Sequence, residues 1–112
     1  MVNVGEAGEA HLLRVTPTGA QVEQTDSLLA NPNCASLVIR GGELLYAIAV
    51  GHSETSAGYY YFLRGPANKP GVIARRQWVF PTGKMSWPVV ISAQGNAVVG
   101  GSDDSHLYYF TP

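Results

Sequence analysis

The sequence predicts an all-β protein built from antiparallel, four-stranded, blade-like repeats of about 47 residues. Two observations predict it. The apolar runs are short, rich in Val, Ile and Tyr, and bounded by Gly, Pro, Asn and Ser, which is the pattern of strands rather than helices. One pattern also recurs three times. It reads Val4-Gly5 then His11-Leu12-Leu13-Arg14-Val15-Thr16-Pro17, and again Val99-Gly100 then His106-Leu107-Tyr108-Tyr109-Phe110-Thr111-Pro112. A middle copy reads Val50-Gly51 then Gly58-Tyr59-Tyr60-Tyr61-Phe62-Leu63-Arg64-Gly65-Pro66. The outer copies align without a gap at an offset of 95 residues, with six identities in sixteen pairs.

The strands follow in order. Gln21 to Ser27 reads as the first strand of one repeat, Leu37-Val38-Ile39 as the second and Leu44 to Val50 as the third. Gly41-Gly42 between two apolar runs marks a tight hairpin. A polar loop from His52 to Ala57 leads to the Tyr-rich fourth strand. The next repeat opens with Arg75 to Phe80, turns at Pro81-Thr82-Gly83, and continues through Val89-Val90-Ile91, Gln94-Gly95-Asn96 and Ala97-Val98-Val99. The loop Gly101 to Ser105 precedes its last strand. A short helical turn over 26–30 is the one helical signal, with Asp26 or Ser27 as its cap. Labelling the strands A to D, the chain reads C-D, A-B-C-D, A-B-C-D. This gives a half repeat over 1–17, one repeat over 18–66 and another over 67–112, within a single domain. The alternative architecture is an ordinary antiparallel sandwich or barrel.

Composition narrows the function classes. The chain has 112 residues, 46% of them hydrophobic and only 13% charged, with a net charge of −1. That supports a modest packed core. Without a basic excess, nucleic-acid binding lacks its usual electrostatic driving force. Cys34 is the single cysteine, so neither an intrachain disulfide nor a thiolate zinc cluster can form. It reads as a small packed residue. There is no signal-peptide pattern and no apolar run approaching the roughly 18 residues of a membrane span. A soluble chain of unassigned compartment is expected, with no membrane and no nucleic acid among its partners.

Catalytic chemistry has weak candidates. His11, His52 and His106 sit at matching places in the three copies, but without metal-ligand spacing. Asp103 and Asp104, with Glu54 at the matching place, pair as carboxylates, and Asp after Gly-Ser in a hairpin loop reads as a turn former. His52-Ser53-Glu54 holds triad residue types that an extended strand points to opposite faces. No enzyme, metal or cofactor is expected. The aromatic residues Trp78, Trp87, Tyr59, Tyr61 and Tyr108, with Asp103 and Asp104, are the candidate ligand or interface residues. Tyr and Trp bring apolar area with a polar handle.

The stretch Trp87-Pro88-Val89-Val90-Ile91, Gly95, Val98 to Asp104 and His106-Leu107-Tyr108 resembles a pyrroloquinoline-quinone-type β-propeller blade. The resemblance covers residues 72–112 well and 1–64 loosely. It implies propeller-type blades but not the cofactor, because a quinone enzyme needs a full ring, a metal and a channel carboxylate. A second resemblance is to tachylectin-type propellers. It rests on Ile73-Ala74-Arg75, Gly83 before Trp87, Gly42 to Ile48, and Leu107-Tyr108 with Pro112. That family implies binding of N-acetylated sugars between blades. Asn68 to Val72 stands where the family carries Asp-Asn-Trp.

Two and a half blades leave edges and an apolar face uncovered. The expected role is a non-catalytic structural or interaction subunit of an oligomer or larger assembly, such as a virion. Its expected partner is either a further copy or another chain that completes the sheet edges. The alternative is a small lectin with aromatic glycan sites between blades.

Overall fold

The computed structural model describes residues 2–4, 8–52, 57–67, 69 and 74–112. Among them are ten strands and no helix. β1 (Val2–Val4), β2 (Glu9–Thr16) and β3 (Gly19–Ser27) form a first sheet. β4 (Pro32–Arg40), β5 (Glu43–His52), β6 (Ala57–Pro66) and β7 (Arg75–Pro81) form a central sheet. β8 (Ser86–Ile91), β9 (Val98–Ser102) and β10 (Leu107–Phe110) form a third. Every pairing is antiparallel between sequence neighbours.

The central sheet is covered on both faces, as its sequence requires. Leu44 to Val50 is an unbroken apolar run, the signature of a strand without a solvent face. Leu44, Tyr46, Ile48 and Val50 join Tyr61 and Leu63 in a cluster that includes Ala10 of the first sheet. The alternate residues Leu45, Ala47 and Ala49 join Tyr60 and Phe62 in a second cluster, with Val89, Ile91 and Val98 of the third sheet. Small residues lie opposite large ones: Ala47 pairs with Phe62 and Ala49 with Tyr60. Gly41 and Gly42 both have positive φ, +58° and +75°, as the two-residue β4–β5 hairpin demands.

Two expectations need correction. Residues 26–30 form no helical turn: Asp26 and Ser27 end β3, and Leu29 and Ala30 lie in a bend. The strands that lead each repeat do not join the hairpin that follows them. β3 pairs with β2, and β7 with β6. The tight link at Pro17-Thr18 folds β3 directly back on β2. The sheets therefore divide near 28–31 and 82–85.

The first and central sheets are tied by a buried polar network. The Gln24 side chain donates to the Ala74 carbonyl at 2.9 Å and accepts from the Ala74 N–H at 2.7 Å. It also donates to the Asp26 carboxylate, which accepts from Tyr46 Oη at 2.9 Å. Burial, reinforced by Asp26, pushes the Tyr46 phenol far above its ordinary range. The central and third sheets meet through rings and aliphatic side chains instead, with supporting bonds that include Asn33 Nδ2 to the Ser86 carbonyl at 2.8 Å, the Ile91 N–H to Ser36 Oγ at 3.0 Å and Tyr60 Oη to the Gly101 carbonyl.

Candidate functional site

The third sheet has one face against the central sheet and one face open. Its inner residues are Ser86, Val89, Ile91, Val98 and Gly100, with Tyr108 and Phe110 half-buried beside them. Gly100 permits a close approach: a Cβ there would stand 2.5 Å from the Tyr60 ring. Tyr60 Oη donates to the Gly101 carbonyl at 2.5 Å. Burial raises the Tyr60 pKa to about 12.

The open face follows from the same alternation. Val90 pairs with Val99, and Val99 with Tyr109. Leu107 pairs with Gly101, which lies against Pro88. These side chains carry no charge, yet Leu107 is 78% exposed, Tyr109 67% and Val90 60%. On the corresponding side of the central sheet, Leu45, Ala47, Ala49, Tyr60 and Phe62 are no more than 2% exposed. Single exposed apolar residues are ordinary, but a contiguous uncharged sheet face is the pattern of an interaction surface.

Beside this face lies an aromatic cleft of about 330 Å³, between β7 and β10. Trp78, Val79 and Phe80 form one wall and Tyr109, Phe110 and Thr111 the other. Trp78 stacks on Phe62 at 5.5 Å and meets Phe110 at 4.7 Å between ring centroids. Phe80 meets Tyr108 and Phe110 edge-on or tilted, at 5.6 and 5.2 Å.

The residues singled out in the sequence do not converge. Tyr59 and Tyr61 pack toward the first sheet, and Tyr61 Oη accepts the Leu29 N–H at 2.8 Å. Trp78 and Tyr108 belong to the ring cluster. Trp87 is exposed at the margin of the open face, its Nε1 donating to Asp103 at 3.0 Å. Asp104 accepts from Tyr108 Oη and from the His106 N–H. The Tyr108 bond, above all, lowers the Asp104 pKa. Both carboxylates thus brace the hairpin loop. Glu54 and Ser53 lie outside the described residues, as does the His52 side chain. His11 and His106 belong to different outer sheets. Among the described residues no three His, Cys, Asp or Glu side chains gather into a metal-binding group. Cys34 is a free thiol packed at the edge of the second cluster.

Sequence reading noted that Tyr108-Tyr109-Phe110 shows aromatics on both faces of its strand but passed over Val90, Leu107 and Phe80. The available clue was that Leu107-Tyr108-Tyr109-Phe110 contains no polar alternate position, so one apolar face must remain open if a single sheet covers the strand. Comparison with protein-family models, with curated proteins and with solved structures finds no match to this chain.

Proposed function

We propose that the chain is a non-catalytic structural or interaction subunit that acts within an oligomer or larger assembly, such as a virion. In this reading its sheets are propeller-type blades, and another copy continues the stack. The uncharged open face of the third sheet carries the proposal. The central sheet presents its equivalent side to a neighbouring sheet, and a face of the same chemistry gains by the same burial. Low overall charge adds little long-range repulsion between copies.

Sedimentation and light scattering test this. The expected mass at micromolar concentration exceeds the 11.9 kDa of one chain. Val90→Glu, on the β8 side of the open face, is expected to shift the assembly toward monomer. A wild-type protein that stays monomeric rejects the reading.

The aromatic cleft favours a second reading, a small lectin. Flat sugar faces stack on rings such as Trp78 and Phe80, and the exposed Trp87–Asp103 pair offers a carboxylate beside an indole. Retention on a glycan surface, lost in Trp78→Ala, supports it. No retention on any glycan removes it.

A further inference from the structure

The open edge of β10 is as unusual as the open face. Among the described residues β10 pairs with β9 alone. The Ser102 N–H donates to the His106 carbonyl at 3.2 Å, which sets the alternation of backbone groups along β9 and β10. Antiparallel alternation then directs the backbone groups of Tyr108 and Phe110 toward β9, and those of Leu107 and Tyr109 toward the open edge.

Four of the other five edge strands carry charges, prolines or bulges that discourage pairing, and the fifth, β1, is only three residues long. β3 has Glu23 and Asp26 and a bulge against β2; β4 has Pro32 and a bulge; β7 has Arg75 and Arg76; β8 has Pro88 and a bulge. β10 has no charge, no proline and an unbroken register. The corresponding edges of β2 and β6 each carry an antiparallel strand of this same chain, β3 and β7.

We infer that β10 pairs with β10 of a second copy about a two-fold axis, forming one six-stranded sheet across two chains. This deepens the assembly reading above and rests on it. Centred on Tyr108, the pairing sets Leu107 of each copy opposite Tyr109 of the other, so that both exchange backbone N–H and C=O groups. The two side chains meet on the same face as a cross-strand apolar pair.

Charge selects this arrangement over others. Within one chain, the run from Tyr108 to Phe110 parallels the run from Phe80 to Trp78, as the ring contacts show. The exposed Arg75 and Arg76 therefore stand beyond the far end of β10, and Asp103 and Asp104 before its near end. A two-fold antiparallel pairing brings the acidic loop of each copy toward the basic end of the other. A parallel pairing would set the two acidic loops side by side.

Hydrogen exchange on the wild-type protein, read with sedimentation, tests the pairing without a variant. The Leu107 and Tyr109 amides are expected to become protected as concentration rises through the dimerisation range. Fast exchange of both amides where the mass is that of an assembly overturns the inference. Leu107→Pro removes one edge N–H and is expected to weaken the dimer about tenfold or more, whereas Leu107→Ala, which keeps that N–H, weakens it less. An assembly broken by Val90→Glu but indifferent to Leu107→Pro overturns this inference alone. A monomeric wild type overturns both.

Discussion

The two seams of this molecule are built from different chemistry. The seam between the first and central sheets is directional: Gln24 grips both backbone groups of Ala74, and Tyr46 closes on Asp26. The seam between the central and third sheets is made of rings, with Phe62, Trp78, Tyr60, Tyr108 and Phe110 in mutual contact. A buried amide that must find two backbone partners admits one placement, because every alternative leaves polar groups unsatisfied. Rings tolerate more than one mutual angle, and their contribution scales mainly with buried area. The first seam thus specifies position by directional bonds, and the second is held by apolar packing.

The largest expected break is in the ring seam. Phe62→Ala removes a fully buried ring and the platform under Trp78, at an expected cost of about 3–5 kcal/mol. Urea unfolding would measure it, with a change in Trp fluorescence in the folded state. A loss well under 1 kcal/mol would mean that the cluster collapses around the gap.

Gln24→Ala strikes the other seam. Both Ala74 backbone groups lose their partner and the Asp26 carboxylate keeps only Tyr46 Oη, for an expected cost of about 2–3 kcal/mol. Trp78 packs against the ring seam and Trp87 lies in β8, so native fluorescence is expected to hold while the urea midpoint falls. A fluorescence change equal to that of Phe62→Ala would show that the seams are not independent.

The smallest effect is in alkali. Each seam buries a phenol, Tyr46 in one and Tyr60 in the other, and burial raises both pKa values. For Tyr60 the unfolded value is about 10 and the folded value about 12. Its contribution is therefore complete below the unfolded pKa and is lost as pH rises through the folded one. Tyr60→Phe is expected to flatten the fall of the urea midpoint between about pH 10 and 12 relative to wild type. An unchanged slope assigns the alkaline sensitivity to the Tyr46 seam.

Much of the secondary structure was legible in the chain. Gly41-Gly42, the apolar run Leu44 to Val50 and the turn at Gln94-Gly95-Asn96 located strands and hairpins, because turn geometry and alternation are local properties. The repeat was legible as a pattern but not as a set of faces. Val50 packs toward the first sheet, which precedes it, whereas Val99 points away from the central sheet that precedes it. A one-residue difference in register reverses every side chain on a strand, and no short motif reports it. The candidate surface was legible only in its ingredients. Trp87 was singled out, but Leu107, Tyr109 and Val90 became a surface only when β10, β9 and β8 aligned them.

The sequence by itself determined an all-β, antiparallel chain and where its hairpins turn. These follow from backbone sterics and from the spacing of apolar residues within a few positions of one another. Only the tertiary structure decided that β3 and β7 close the sheets before them, that Gln24 reaches Ala74 fifty residues away, and that the third sheet keeps one apolar face and one edge uncovered. Those outcomes depend on which surfaces meet. Each strand offers two edges and two faces of similar chemistry, and the choice among them is made by the whole set of packing contacts at once.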